Sequence, residues 1–334
     1  MADRIVVIGT SAGGVEALMK LVAGLPRNFG APVVVVLHVG AESPSVLPQI
    51  LSRSGNLPAQ EARDGERLRP ATIYTAVPDF HVTIEEDKTL RLSRGPRENR
   101  HRPAVDPLFR SAALAFRSRV IGVILTGTLD DGTAGMLAVK KGGGVTIVQD
   151  PADALYADMP KNAMEYVKID YVLPLAEIAA KLVECVGQPC ATTPWSADFD
   201  MLEMEKKIVT LDPATLQNDD RPGKPSAYSC PDCGGVLWEI EEDEYVRFRC
   251  RVGHAFSPET MLNAQSDVLE EALWTAMKTL EESARLSARL AENERRRAHD
   301  WLAQRFEERE REARERAEVI RRFLIAEEPK QARK

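Results

Sequence analysis

The sequence predicts an α/β protein in which a mostly parallel sheet lies between two layers of helices, a three-layer α/β/α arrangement. From residue 1 to about 187, short β-branched runs alternate with amphipathic stretches, which is typical of βαβ units. Four runs are apolar on both faces, as expected for strands that helices cover on both sides: residues 5–8, 33–37, 120–125 and 145–148. Helices are predicted between them, at residues 15–25, 105–116, 132–141 and 175–186.

The segment 71–93 differs from the rest of this first region. Two short β-prone runs, at residues 72–74 and 81–84, are followed by Asp87-Lys88 and a third run at 90–92. This pattern favours a hairpin or an antiparallel addition at the edge of the sheet.

Length and charge limit the classes of function. The 334 residues are enough for about two domains, and 51 acidic against 44 basic residues give a net charge of −7. No global basic field is present, so nucleic acid is not an expected partner. The longest apolar runs are far shorter than the roughly 18 to 20 residues that span a membrane, so no membrane insertion is expected. The N-terminus lacks a signal-peptide pattern, which predicts a cytoplasmic protein.

Composition divides the chain into four segments: a first domain at 1–187, a proline-rich linker at 188–227, a cysteine-rich module at 228–257 and a helical tail at 258–328. The linker is expected to hold one short helix near residues 201–207. After Pro258 the tail has neither Pro nor Gly and carries apolar side chains at steps of three and four, which predicts a helical hairpin or a coiled coil. Self-association or a signalling partner is expected to use these helices.

Ser11 lies in a glycine-rich turn, residues 9–14, that follows the first strand and opens a helix. Small residues there permit a tight turn that presents the hydroxyl at the carboxyl end of the sheet, near N–H groups able to stabilise an oxyanion. A catalytic nucleophile and a nucleotide-binding turn are both open interpretations. The second is weakened because Ser11 stands where the G-x-G-x-x-G fingerprint needs its second glycine.

A serine hydroxyl needs a base and an orienting acid, and the chain carries both at other strand ends. His38 ends the second apolar strand, and Asp131 follows the third. The carboxyl ends of parallel strands meet at one edge of a sheet, so Ser11, His38 and Asp131 are expected to share that edge. Asp130 is the neighbouring alternative for the acid, and Asp131 is preferred because it precedes Gly132.

Five stretches of the first domain carry a family resemblance: VIGTSAGG at 7–14, VLH at 36–38, HRPAVD at 101–106, LTGTLDDGTAGM at 125–136 and MP at 159–160. Together they resemble the catalytic domain of the chemotaxis receptor-glutamate methylesterases, the CheB family, over about residues 3–187. The resemblance implies an α/β/α domain with Ser11 as nucleophile, His38 as general base and Asp131 as orienting acid, and no catalytic cofactor. It also implies the substrate, γ-methyl esters of glutamate on receptor helices, with deamidation of glutamine as a related activity.

The chain departs from the family pattern at several positions. Family members usually carry a receiver domain before the catalytic domain, and Ser11 lies too near the start for one, so receiver control is not expected. Thr128 stands where the family has a Met whose backbone serves the oxyanion site, and Ala12 stands where it often has Thr. Backbone N–H groups near Ser11 and Thr128 are still expected to stabilise the oxyanion. Arg102 and His101 are expected to line the substrate groove, the alternative being a solvated loop.

A second candidate site lies in the cysteine-rich module. Cys230 and Cys233 form one knuckle with the help of glycine, and Cys250 and His254 form a second. Three thiolates and an imidazole supply the four ligands of a closed tetrahedral zinc site, which predicts structural rather than catalytic zinc. So short a segment has little core, so zinc would contribute much of its folding free energy. Reduced thiols without metal and a redox pair are the alternatives.

Two functions from different classes follow. The first is a free-standing protein-glutamate methylesterase, a carboxylic-ester hydrolase whose module and helices serve regulation, dimerisation or docking. The second is a non-catalytic signalling scaffold that keeps the esterase fold and binds partners through its module and helices. A nucleotide-binding domain is a third, weaker hypothesis.

Overall fold

A seven-stranded parallel sheet forms the centre of the larger part of the protein. The computed structural model describes residues 4–190, 199–217 and 221–326, and its contacts divide the chain into two compact units, Met1–Met261 and Leu262–Lys334. The α/β elements, in chain order, are β1 Ile5–Thr10, α1 Gly14–Ala23, β2 Val33–Leu37, α2 Leu47–Ser54, β3 Ala59–Glu61, β4 Ile73–Thr75, β5 His81–Ile84, β6 Leu90–Ser93, α3 Val105–Phe116, β7 Val120–Ile124, α4 Thr133–Lys141, β8 Val145–Gln149, α5 Asp158–Tyr166, β9 Tyr171–Leu173 and α6 Leu175–Gly187.

The strand order of the main sheet is β3-β4-β2-β1-β7-β8-β9, and every neighbouring pair is parallel. Alternate side chains of β1 enter two separate cores: Val7 joins the core of α3 and α4, whereas Val6 joins that of α1 and α6. These two cores confirm the predicted three-layer α/β/α arrangement. Because β1 lies between β2 and β7, the crevice at its carboxyl end is the place where open parallel sheets bind ligands.

The four predicted strands and four predicted helices are all present, with ends that differ by a residue or two. The prediction of a hairpin or an antiparallel edge addition over residues 71–93 was wrong for the first short run. Strand β4 is a parallel member of the main sheet beside β2, and only β5 and β6 form the antiparallel hairpin. A run of three residues carries no signal of strand direction. Four elements were not predicted because each is too short, or too weakly periodic, to stand out: α2, β3, α5 and β9.

The cysteine-rich module folds as a four-stranded antiparallel sheet of β10 Lys224–Ser229, β11 Val236–Glu242, β12 Tyr245–Cys250 and β13 Ala255–Phe256. The predicted linker contains helices α7 Phe199–Val209 and α8 Pro213–Gln217. Parts of the predicted segments lie outside the described residues: 1–3, 191–198, 218–220 and 327–328. Leu202 of α7 and Tyr245 of β12 join the core of α3 and α4, so the module and the α/β domain share buried apolar surface within one unit.

A buried ionic cluster adds to this shared interface. Arg110 of α3, Arg247 and Arg249 of β12, and the carboxylates of Glu98 and Glu205 have side chains at most 5% exposed. Arg249 donates to Glu98 over 2.7 Å and to Glu205 over 2.8 Å. Burial opposes the charge of Glu205, yet the surrounding arginines hold the pKa of this carboxyl well below its usual range. The cluster therefore links the module to α3 through ion pairs that are buried away from solvent.

The second unit contains most of two long helices, α9 Pro258–Arg296 and α10 Asp300–Ala326. Ion pairs join Arg321 to Glu281 and Arg295 to Glu307, so the helices run antiparallel. This confirms the hairpin, and Ala298, with φ of 61°, lies in the connection between the helices. The buried positions of this unit are mostly small: Ala284, Ser287, Ala291, Ala303, Ala313 and Ala317. Over the described residues, no helix has the length and apolar character to cross a bilayer.

Candidate active site

Three segments that follow neighbouring strands are hydrogen-bonded together at the carboxyl edge of the sheet. Ser11 follows β1, His38 follows β2, and the turn that contains Asp131 follows β7. The Ser11 N–H donates to the Thr126 carbonyl over 3.1 Å, and the His38 N–H donates to the Thr10 carbonyl over 3.2 Å. Parallel pairing on both sides of β1 thus brings residues distant in sequence to one edge.

His38 and Asp131 form a buried hydrogen-bonded pair. The imidazole Nε2 lies 2.7 Å from the carboxylate Oδ2, and the two side chains are 4% and 2% exposed. Because the carboxylate is an acceptor, it fixes the proton on Nε2 and leaves Nδ1 as the basic nitrogen. Nδ1 is buried and has no hydrogen-bond partner among the residues that the structure describes. An unpartnered basic nitrogen at this edge is what a general base requires.

Asp131 is held by donors from several directions. The Val105 N–H donates to Oδ2 over 2.6 Å, and the Asn99 amide donates to Oδ1 over 3.0 Å. Burial disfavours the charge, but the hydrogen bonds from His38 and Val105 keep the pKa of Asp131 well below its usual range. Neighbouring Asp106 differs, because burial and the charge of Asp131 raise its pKa well above the usual range. The two carboxyl groups together therefore hold their negative charge on Asp131.

Asp130, the neighbouring alternative for the acid, has a different environment. Burial raises the pKa of its carboxyl to about 7, an effect that a hydrogen bond with Ser257 partly opposes and the charges of Glu259 and Asp131 increase. One of its oxygens, Oδ1, is buried and has no hydrogen-bond partner within the described ranges of the chain. The geometry therefore favours Asp131, and not Asp130, as the partner of His38.

His101 covers one face of the His38 ring. The ring centroids lie 3.7 Å apart and the planes differ by 8°. Burial, together with the neighbouring His38, lowers the pKa of His101 to about 4. His101 is therefore neutral at physiological pH and packs on the His38 ring without competing with it for a proton.

The backbone N–H groups around Ser11 and Thr128 differ in whether they are already hydrogen-bonded. The N–H groups of Ser11 and Gly127 donate to the carbonyls of Thr126 and Tyr156. Across the described part of the chain, those of Ala12 and Thr128 have no backbone partner. Ala12 precedes helix α1, whose N-terminus favours negative charge.

Gly127 is required by close packing beside the serine. A Cβ atom at this position would lie 2.1 Å from Met159 Sδ and 2.9 Å from Ser11 Cβ. The Thr126 hydroxyl fastens the same turn by donating to the Ala12 carbonyl over 3.0 Å and accepting from the Tyr156 N–H over 2.9 Å. The position of Ser11 is therefore fixed by the turn that follows β7.

Arg102 is engaged in a structural ion pair. Its Nε lies 2.9 Å from Asp79 Oδ1, and its Nη1 donates to the Gly95 carbonyl over 2.9 Å. The side chain is 19% exposed. With its donors directed at Asp79 and Gly95, Arg102 fastens its own loop, and substrate contact by this residue stays a prediction.

The cysteine-rich module brings four donor atoms together. The ligand atoms of Cys230, Cys233, Cys250 and His254 all lie within 4.8 Å of one another. Cys233 Sγ is 3.7 Å from Cys250 Sγ, and His254 Nδ1 is 3.5 Å from Cys250 Sγ. A tetrahedron with Zn–S bonds of about 2.3 Å has S–S edges of about 3.8 Å, so these spacings and this donor set fit a metal ion. Asp232 Oδ2 lies 3.9 Å from the other ring nitrogen of His254.

Two side chains of the site were not identified from the sequence. Asn99 donates to both Asp131 and Asp106 over 3.0 Å, and Asp106 accepts from the Gly135 N–H over 2.7 Å. Asp106 lies in the HRPAVD stretch, which indicated the family resemblance but gave no role for this residue. No local signal marks Asn99, because its contacts come from segments distant in sequence.

A parallel α/β sheet with a His–Asp pair and a serine at its carboxyl edge is typical of serine hydrolases. The sequence matches the CheB methylesterase family over residues 6–182, more than half of the chain. The chain therefore belongs to the CheB methylesterase family.

Relatives with known names agree with this assignment. A curated protein of Leptospira interrogans is 42% identical over 174 residues, which are 52% of this chain and 90% of that protein. A protein-glutamate methylesterase/protein-glutamine glutaminase of Thermotoga maritima is 39% identical over 189 residues, or 56% of this chain, and the chain spans 55% of its length. The crystal structure of the Thermotoga maritima CheB methylesterase catalytic domain has a TM-score of 0.52 and 40% identity, covering 54% of this chain and 97% of that one.

Proposed function

We propose that this chain is a serine hydrolase that removes methyl groups from γ-methyl esters of glutamate on receptor helices. The observation that carries the proposal is the buried His38–Asp131 pair with its free Nδ1, at the edge where Ser11 follows β1. The names of the relatives supply the substrate class, because the Thermotoga maritima protein is a protein-glutamate methylesterase/protein-glutamine glutaminase.

In the proposed reaction, the Ser11 oxygen attacks the ester carbonyl while His38 Nδ1 accepts the hydroxyl proton. The tetrahedral intermediate places its negative oxygen near the N–H groups of Ala12 and Thr128. His38 then gives the proton to the leaving methoxide, methanol departs, and the glutamyl group remains as an ester of Ser11. Asp131 stays ionised throughout and stabilises the imidazolium.

Water completes the cycle. His38 takes a proton from a water molecule as the water oxygen attacks the acyl-enzyme, and returns that proton to the Ser11 oxygen when the glutamic acid side chain leaves. The released acid then loses its remaining proton to solvent and becomes the carboxylate. A glutamine side chain would enter the same route with ammonia as the leaving group, which accounts for the paired activities in the relatives' names. No metal or cofactor is needed for either step.

The test of this proposal is methanol release from receptor-containing membranes whose glutamates carry methyl esters. We expect the wild-type chain to release methanol in proportion to the ester present and Ser11→Ala to release none above background. The same membranes with unmethylated glutamates are the matched control. Wild-type protein that releases no methanol, or a Ser11→Ala protein that releases it at the wild-type rate, would contradict the proposal.

We also propose that Cys230, Cys233, Cys250 and His254 hold a structural zinc ion. The support is the spacing of the four donor atoms, three sulfurs and one imidazole nitrogen, which all lie within 4.8 Å of one another. Four protein ligands leave no open position, so zinc would cross-link the two knuckles and not act on substrate. Elemental analysis of protein purified without added metal should find one zinc per chain, and a protein free of zinc would contradict this assignment.

A further inference from the structure

A tight turn lies between the cysteine-rich module and the His38–Asp131 pair. The Glu98 N–H donates to the His101 carbonyl over 3.2 Å, and the His101 N–H donates to the Glu98 carbonyl over 2.9 Å. The two residues between them, Asn99 and Arg100, both have left-handed backbone, with φ of 49° and 71°. Such a two-residue connection has a fixed backbone geometry, so its side chains leave it in fixed directions.

One side of this turn is fastened to the module. The Asn99 N–H donates to the Ala255 carbonyl over 2.8 Å, and the Ser257 N–H donates to the Asn99 side-chain oxygen over 3.1 Å. The Glu98 carboxylate accepts from Arg249 over 2.7 Å. Ala255 directly follows the candidate metal ligand His254, and Arg249 directly precedes Cys250.

The other side of the turn is fastened to the catalytic pair. The Asn99 side-chain nitrogen donates one hydrogen to Asp131 and one to Asp106, both over 3.0 Å. The His101 ring stacks on the His38 ring with 3.7 Å between centroids. The Asn99 side chain is thus satisfied at both ends, with its oxygen on the module and its nitrogen on the two buried carboxyl groups.

We infer that Asn99 is a positioning residue for Asp131 and that the cysteine-rich module acts on catalysis through Asn99. This inference rests on the proposed function, because it concerns the reactivity of the same serine. Asn99 is 4% exposed, so its hydrogen bonds have no water to replace them. When the module is folded around its metal, the Ser257 N–H donates to the Asn99 side-chain oxygen. This hydrogen bond fixes the orientation of the amide, so that its nitrogen donates to Asp131. When the module loosens, Asp131 loses one of its donors and the His38 ring loses its fixed neighbour.

The first test replaces the Asn99 side chain while it keeps the turn. Asn99→Gly suits the left-handed backbone and removes the side chain with its amide. The readout is reaction of Ser11 with a fluorophosphonate, for which the amplitude counts competent molecules and the rate constant reports the reactivity of each. We expect Asn99→Gly to lower the rate constant roughly 10- to 100-fold with full amplitude.

Two controls separate positioning from folding. Asn56→Gly makes the same change at an amide that bonds the Leu25 carbonyl, away from the catalytic residues, and should leave the rate constant unchanged. With a small ester as substrate, Asn99→Gly should lower kcat and leave KM unchanged. A loss of amplitude with an unchanged rate constant, or wild-type kinetics in Asn99→Gly, overturns the inference. Wild-type protein that does not react with the probe at all contradicts the proposed function itself.

The second test asks whether the module acts through Asn99. Cys233→Ser alters an exposed sulfur of the metal cluster and should lower the rate constant in the full chain. In the Asn99→Gly background the same change should cause little further loss, because the connection is already broken. Losses that multiply in the double variant, or a Cys233→Ser protein that has lost zinc by elemental analysis and yet reacts at the wild-type rate, overturn the role of the module. Circular dichroism of each variant identifies a global loss of fold.

Discussion

The imidazole of His38 and the carboxylate of Asp131, 93 residues apart in the chain, lie 2.7 Å from each other in a buried pair. They meet because β2 and β7 both pair with β1, and each residue follows its strand at the same edge of the sheet. The pair sets the direction of proton movement, because a charged Asp131 holds the Nε2 proton and leaves Nδ1 to accept one. This relationship makes Ser11, which follows the strand between them, the expected nucleophile.

The first prediction distinguishes the two adjacent aspartates. Asp131→Asn should lower kcat roughly 10⁴-fold, because an amide cannot stabilise the imidazolium that forms on His38. Asp130→Asn should change kcat less than about tenfold, because burial raises the pKa of Asp130 to about 7 and an amide resembles its protonated form. Steady-state hydrolysis of a small ester by both variants decides the assignment. A larger loss in Asp130→Asn than in Asp131→Asn would reverse the roles.

The second prediction concerns the packing that fixes Ser11. Gly127→Ala should lower kcat about 100-fold, because the new methyl group meets Met159 and the Ser11 side chain. Gly187→Ala is the matched control, since a Cβ atom there meets no heavy atom of the described residues within 4 Å. The two variants are compared in kcat and in thermal unfolding. Full activity of Gly127→Ala would show that Ser11 tolerates displacement, contrary to the account given for this turn.

The third prediction follows from the neutral His101. Its pKa is near 6.5 in an unfolded chain and about 4 in the folded protein, so the unfolded chain binds more protons between these values. The contribution of His101 is therefore complete above about pH 6.5 and is lost as the pH falls through about 4. Urea unfolding of wild type and His101→Phe at pH 7 and pH 4 should show an extra loss of up to about 3 kcal/mol in the wild type. Equal losses in both proteins would mean that His101 is not buried as a neutral ring.

The fourth prediction tests the ionic cluster that joins the module to α3. Glu205→Gln should destabilise the protein by about 3 to 5 kcal/mol, because it leaves arginines buried with too few carboxylates. On the same helix, Glu203 pairs with Lys207 at 3.8 Å near the surface, and Glu203→Gln should cost less than about 1 kcal/mol. Urea unfolding of the two variants gives both values. Similar small costs would indicate that the cluster contributes little to stability.

The sequence was sufficient for the central fold because the information there is local. Strand β2 is four valines and a leucine, all buried, and helix α3 begins and ends where its apolar period predicts. The direction of β4 was missed because it depends on pairing with β2 and β3 and not on the residues of β4 itself. Strand β9 was not predicted at all, because its three residues form no buried apolar run: Tyr171 and Leu173 are partly buried and Val172 is exposed.

The candidate site was predicted as far as strand ends could indicate it. Ser11, His38 and Asp131 each follow an apolar run, so the parallel sheet alone brings them to one edge. Asn99 could not be found in this way, because its partners Asp131 and Ser257 lie 32 and 158 residues away. Nor does the sequence indicate that the module shares a core with the α/β domain, since Tyr245 and Leu202 look like ordinary apolar positions of their own segments.

The central claim is that Ser11 is a nucleophile activated by His38, and covalent trapping measures this most directly. Protein treated with a fluorophosphonate is digested, and the modified peptide is located by mass spectrometry. The account predicts one adduct, on Ser11, and a loss of roughly a thousandfold or more in the labelling rate of His38→Ala. An adduct on a different serine, or labelling of Ser11 at the wild-type rate without His38, would contradict it.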